Sequence, residues 1–338
     1  MLFHAVASSL VLAVPIAAQQ IYDIWSTTWQ RDSLFTYRDL SPNPINFTSL
    51  GSTGTSDIVV TDSTTYESMV GFGAALTDSS AKLLSELKSK NAGNYWVLLK
   101  KLFDRIGAGF SYLRIALGAS DFSDSVYSFD DVSGDTSLSH FDIDKAPSYL
   151  FSTLNDIVGI NSYLKIQITP WSPNEPLNSN PSYPTNLIDP FWESQVATKL
   201  RSLMNSNGFS GTDIIGFDHN WTMWNLALDG NGNPKLPGTT SCGGSDPCRG
   251  VITINSDGTY ELNQEFCVIA QASKAILPKD QGGPFGRRIK VDVGGNQNLV
   301  VSSFVTERTS SSDWNRYSLA TYTFPVGVTT LWWYTAPQ

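Results

Sequence analysis

An unbroken apolar run, Val70 to Leu76, is followed at once by Thr77-Asp78, a helix N-cap signal, and then by Ala81, Leu83, Leu84 and Leu87 at helical spacing. The same order of strand then helix recurs. Helices are predicted over 95–103, 147–157 and 191–204, and strands over 110–117, 164–168, 213–217 and 223–228. Strands that are apolar throughout and alternate with helices predict a parallel sheet, either doubly wound or closed into a barrel. Residues 20–60 are rich in Ser and Thr with alternating apolar positions, and read as short strands. Beyond 250 the pattern is mostly β, with runs at 251–254, 289–293, 300–305 and 322–324 and one helical stretch at 264–276. The expected fold class is therefore α/β, a (β/α)8-type barrel with a C-terminal β-sandwich that the N-terminal strands complete. The expected divisions are 1–18, 19–65, 66–249 and 250–338.

Two places break the alternation. Thr169-Pro170-Trp171-Ser172-Pro173 reads as the mouth of one strand, and Asn174-Glu175-Pro176, directly after it, as the mouth of another. The strand over 213–217 likewise runs straight into the one at 223–228. Parallel neighbours need a crossover of about a dozen residues or more, so the barrel is expected to be incomplete. From Val70 to Leu236 there are 167 residues, whereas eight strand-helix units typically take ~200 to 250.

Composition narrows the function. The 338 residues are 41% hydrophobic with ten Trp, enough for a large core, and the net charge of -9 with 22 scattered basic residues argues against a nucleic-acid partner. Residues 1–18 carry a short apolar run ending in Ala17-Ala18, which reads as a secretory signal peptide rather than a membrane span. A secreted, extracellular protein without a membrane partner is expected, acting as a monomer. In that setting Cys242 and Cys248, six apart across a turn-rich loop, are expected to pair, while Cys267 in an apolar stretch reads as a buried thiol. Asn46-Phe47-Thr48 is a glycosylation sequon, and Asn220-Trp221-Thr222 is a second. Three His and three Cys, dispersed, give no zinc spacing, and no phosphate loop, dinucleotide fingerprint or nucleophile elbow appears. No cofactor or metal is expected.

The remaining chemistry is acid chemistry at strand mouths, where a barrel builds its site. Asp78, Arg114, Trp171, Glu175, His219 and Trp224 stand there. Carboxylates with aromatic faces suit a hydroxyl-rich ligand such as a glycan. Taken singly each has a plain alternative: Asp78 as a helix cap, Arg114 as an ion-pair partner, the tryptophans as core, Glu175 as a turn residue.

The strings Gly71 to Ser79, Tyr112 to Ser123, Trp224 to Asp229 and Ser312 to Tyr317 resemble glycoside hydrolase family 30, and the stretches Gly232 to Gly238 and Gln271 to Ala275 look most like fungal endo-β-1,6-galactanases. The resemblance implies a barrel fused to a β-sandwich and hydrolysis with retention through two glutamates. It places the acid/base on Glu175, with Asn174 at the sugar 2-hydroxyl, Asp78, Trp171 and Trp224 around the cleaved bond, and Arg114 in support. The expected substrate is β-1,6-galactan side chains, with β-1,6-glucan or another family substrate, or sugar binding without catalysis, as alternatives. The family's stretch holding the nucleophilic glutamate has no counterpart between His219 and Met223. Asp218 and Asp229 are the nearest substitutes. A retaining mechanism needs two carboxyl groups ~5 to 5.5 Å apart, so this chain is expected to be inactive.

Overall fold

The computed structural model describes residues 19–47, 58–132, 135, 137–170, 202, 220–239, 242, 247–278, 282–294, 298–306 and 323–335. The strand expected over 213–217 and nearly all of the helix expected over 191–204 lie outside the described residues. In chain order the elements are β1 (Gln19–Thr28), β2 (Thr36–Asp39), β3 (Ile45–Asn46), β4 (Ile58–Ser68), β5 (Gly71–Ala75), α1 (Asp78–Lys90), α2 (Ala92–Phe103), β6 (Tyr112–Leu117), α3 (Ser148–Ile160), β7 (Lys165–Pro170), β8 (Asn220–Met223), β9 (Ala227–Leu228), β10 (Ile252–Ile254), β11 (Tyr260–Leu262), α4 (Gln264–Ile276), β12 (Arg287–Val293), β13 (Ser303–Val305) and β14 (Gly327–Thr335).

The sheet that carries the candidate site is parallel, in the order β7-β6-β5-β8. Its first strand is built from Gly and Ala for a steric reason. A Cβ on Gly73 would lie 1.7 Å from the carbonyl oxygen of Tyr112, the residue it faces on β6. Helix α1 starts where the sequence signals it: Thr77 is the cap, and its side chain accepts from the Ser80 amide at 3.2 Å. Asn91 ends α1, and its side chain accepts from the Asn94 amide at 3.0 Å, so α2 begins three residues before the periodicity predicts. The apolar faces of α1, α2 and α3 meet the sheet in one core that includes Leu84, Leu98, Leu102, Leu113, Leu150 and Ile166.

The single strand expected over 223–228 is two strands. β8 stops at Met223 and lies parallel to β5, whereas β9 turns away to pair with β10. The break is fixed by side chains from the start of α1. Thr77 Oγ1 donates to Asn225 Oδ1 at 3.0 Å, while Ser80 Oγ donates to the Ala227 carbonyl at 2.9 Å and accepts from the Ala227 amide at 3.0 Å. These bonds divert the chain after Trp224.

The antiparallel part differs from expectation at its end. Of the strand expected over 322–324, residues 323–324 carry none, and the last described strand is β14, paired with β1 from Gln19↔Thr335 to Thr28↔Gly327. Pro325 offers no amide to a ladder. β1 also pairs with β2 and β3, and β4 pairs with β12 in a separate sheet ordered β13-β12-β4. N-terminal strands thus pair with C-terminal ones. The core of the parallel sheet nevertheless continues past residue 250, because Val251, Ile252, Phe266 and Ile269 belong to it. Helix α4 is the joint: Lys274, buried, reaches the Arg105 carbonyl beneath the rings of Trp25 and Trp332, and Trp332 Nε1 donates to the Lys274 carbonyl at 2.7 Å. Cys242 and Cys248 form the expected disulfide, with a Cα–Cα distance of 5.4 Å, and Cys267 is a buried free thiol. Among the described residues no helix is long and apolar enough to cross a membrane.

Replacing Ser80 by Ala removes both partners of the Ala227 peptide groups in a buried setting. Urea unfolding should show a loss of about 2 kcal/mol. Ser89→Ala, on an exposed stretch of the same helix, should stay within about 0.5 kcal/mol of the parent.

Candidate functional site

Of the sequence-predicted residues, Arg114 and Trp224 come together, and Asp78 stands directly after the strand that lies between theirs. Asp78 follows β5, Arg114 stands on β6, and Trp224 follows β8. Trp171, Asn174, Glu175 and His219, together with Asp218, lie outside the described residues.

Asp78 is the first residue of α1 but does not act as its cap, a task that falls to Thr77. Its carboxylate, 4% exposed, turns to the loop after β6. Ser123 Oγ donates to Oδ2 at 2.6 Å, and the Tyr127 hydroxyl donates to Oδ2 at 3.0 Å and to Oδ1 at 3.2 Å. Burial pushes the Asp78 pKa above the ordinary carboxylate range. The two hydroxyl donors pull it back in part, and the neighbouring Asp124 carboxylate adds a further push upward. Burial also drives the Tyr127 phenol far up, reinforced by the Asp78 anion, so Tyr127 stays a proton donor.

Arg114 donates from Nε to Thr169 Oγ1 at 2.7 Å, and its guanidinium carbon lies 4.7 Å from the centroid of the Trp224 ring. Desolvation lowers its pKa. The edge of Trp224 also meets Phe122 at 6.1 Å. The arrangement therefore presents a hydrogen-bond acceptor held by neutral donors and, from the two neighbouring strands, an aromatic face backed by a cation. Such a surface can accept from hydroxyl groups and pack against C–H faces.

Sequence reasoning assigned no role to Ser123, Tyr127 or Thr169. The density of Ser after β6, at Ser120, Ser123 and Ser125, was the available signal that a neighbouring carboxylate would need hydroxyl partners. Asp229, a candidate substitute nucleophile, is a turn anchor: its Oδ1 accepts from the amides of Asn231 and Asn233, both at 2.8 Å. Among the described residues no group of three His, Cys, Asp or Glu side chains could hold a metal ion.

The family model described as the glycosyl hydrolase family 30 TIM-barrel domain matches residues 69–185. An endo-1,6-beta-D-glucanase of Neurospora crassa is 33% identical over 342 residues, taking in 62% of this chain and 70% of that protein. Since 62% of a 338-residue chain cannot fill 342 aligned positions, the Neurospora protein carries residues within the match that have no counterpart here. An endo-1,6-beta-D-glucanase of Trichoderma harzianum is 36% identical over 109 residues, 31% of this chain and 22% of that protein, so the chain spans under a quarter of its length in that match. Among solved structures, SrfJ from Salmonella typhimurium superposes with a TM-score of 0.68 at 12% identity, covering 94% of this chain and 100% of that one. That likeness is one of fold.

The raised Asp78 pKa has a consequence for stability. An acid whose folded pKa lies above its unfolded value stabilises fully below the unfolded pKa, and the contribution is lost as pH rises through the folded one. The parent should therefore lose stability relative to Asp78→Asn as pH climbs from the ordinary Asp range. Melting temperatures of both proteins across that range check this, and a pH-independent difference would contradict the buried, cation-free setting.

Proposed function

The chain belongs to glycosyl hydrolase family 30, and from that premise we propose that it is a secreted β-1,6-glucan-recognising member of the family. The single observation that carries the proposal is the Arg114–Trp224 contact in the parallel sheet of a chain whose alignment covers 70% of a β-1,6-glucanase. The substrate named for these relatives is β-1,6-glucan, which supports glucan over the galactan expected from the sequence. The two antiparallel sheets built on β1 and β4 are taken as the family's sandwich companion.

Glu175 is proposed as the acid/base, with Asn174 and Trp171 beside the sugar. In the retaining reaction a carboxylate attacks the anomeric carbon, the bond to the leaving oxygen breaks, and the acid's proton goes to that oxygen. Without the segment that supplies the attacking carboxylate, the first bond cannot form, and the proposed activity is binding without turnover. Asn46 is proposed to carry an N-linked glycan. It lies exposed on β3, a strand that among the described residues pairs with β1, and its Oδ1 accepts from Gln20 Nε2.

Affinity electrophoresis of the chain secreted from a eukaryotic host should show retardation by linear β-1,6-glucan exceeding that by β-1,6-galactan, lost in Trp224→Ala, with no new reducing ends from either. Reducing ends from glucan would refute the missing nucleophile. Retardation by galactan alone would reinstate galactan, and retardation by neither would end the glycan reading. The mass of the Asn46 peptide from the same material tests the glycan: the bare peptide would refute it.

A further inference from the structure

Asp78 is nearly buried, yet the described structure gives it only two hydrogen-bond donors, both uncharged hydroxyls. An ionised carboxylate offers about four acceptor sites, and leaving such a group short of donors in a dry setting is costly. The two donors are also unevenly spread. Oδ2 takes Ser123 at 2.6 Å and Tyr127 at 3.0 Å, whereas Oδ1 has only the longer 3.2 Å branch of the Tyr127 bond.

The donors themselves are held in place by the loop they stand on. The Ala119 amide donates to the Tyr127 carbonyl at 2.9 Å and closes the loop. The Ser120 amide donates to Ser123 Oγ at 3.0 Å, which occupies that oxygen's lone pair and leaves its proton to point at Asp78. The Phe122 amide donates to Ser120 Oγ at 3.1 Å, and the Ser79 amide donates to the Phe122 carbonyl at 3.0 Å, fastening the loop to the start of α1. The Tyr127 ring is anchored in the core and against Phe129, with centroids 5.9 Å apart.

We propose that Tyr127 and Ser123 are positioning residues, which fix the Asp78 carboxylate through Oδ2 and leave Oδ1 as the acceptor for a hydroxyl of the bound glycan. The inference rests on the reading of Asp78 as a sugar contact. The sugar hydroxyl supplies the donor that the protein withholds, so binding a neutral polyol completes the shell of a buried anion without an arginine or lysine. Other charged and titratable groups near Asp78 are engaged elsewhere: Asp124 pairs with Lys82 at 2.7 Å and accepts from the Tyr149 hydroxyl on α3 at 3.3 Å.

The test compares the full chain with Tyr127→Phe and Ser123→Ala, using Tyr149→Phe as a reference that touches Asp124 instead. Calorimetric titration with a linear β-1,6-linked gluco-oligosaccharide, from about pH 4 to about pH 8, reads affinity across the carboxylate range. Carbonyl NMR titration of Asp78 in the same proteins reads its protonation without any sugar. Losing the Tyr127 donor should weaken binding about tenfold and raise the Asp78 titration. Affinity should then fail at a higher pH on acidification, because only the ionised acceptor serves. Ser123→Ala should act in the same direction, and Tyr149→Phe, which reaches Asp78 only through space and through Asp124, should move both readouts less than Tyr127→Phe does. If the folded Tyr127→Phe protein keeps the parent's affinity and acid limb, the positioning role is refuted even where its melting point falls. If the parent binds no such oligosaccharide, the substrate reading fails, and the sugar-free titration then decides: an upward shift supports the hold on Asp78, and no shift overturns it.

Discussion

The site depends on two hydroxyls at the start of α1. Thr77 caps the helix and Ser80 is in its first turn, yet both are also bonded to the chain just after β8, at Asn225 and Ala227. Thr77 satisfies the Ser80 amide, an orphan donor of the helix, and also engages Asn225. Together with the β5–β8 pairing from Gly71↔Asn220 to Ala74↔Met223, these bonds fix the register of the two strands. Trp224, the next residue, therefore arrives over the Arg114 guanidinium. A slip of one residue would move the strand's side chains to the opposite face and separate the cation from its ring.

The electrostatics of the cluster follow from the same crowding. Asp78 and Arg114 are both partly or wholly desolvated; hydroxyls hold the acid, and a threonine and an indole are among the partners of the base. Burial moves each pKa toward the neutral form, upward for Asp78, against the pull of its hydroxyl donors, and downward for Arg114. A carboxylate acceptor and an aromatic face suit an uncharged, hydroxyl-rich chain.

Much of the frame was legible from pattern alone. The apolar strand at Val70 to Leu76, the Thr77 cap and the leucines of α1 are local signals, and the structure places each where expected. Asp78, Arg114 and Trp224 could be named because strand mouths of parallel sheets carry function. What the sequence concealed was long-range. The split between β8 and β9 depends on side chains some 150 residues earlier, at Thr77 and Ser80. β14 was hidden because its partner, β1, sits at the other end of the chain. Ser123 and Tyr127 carried no motif, and their role appears only when a folded loop brings them to a buried acid. Several tryptophans and tyrosines that could have formed a sugar platform are core instead, Trp25, Tyr95 and Tyr112 among them.

The parallel sheet also gives the missing crossovers a structural setting. β5, β6 and β7 follow one another across the sheet, and β8 lies on the far side of β5, so the order wraps from the third strand mouth back to the first. The most direct measurement is a crystal structure of this chain soaked with a β-1,6-linked gluco-oligosaccharide. The account predicts a sugar ring on the Trp224 face with one hydroxyl donating to Asp78 Oδ1. Density for the sugar on another surface, with the Asp78–Trp224 cluster empty, would contradict it.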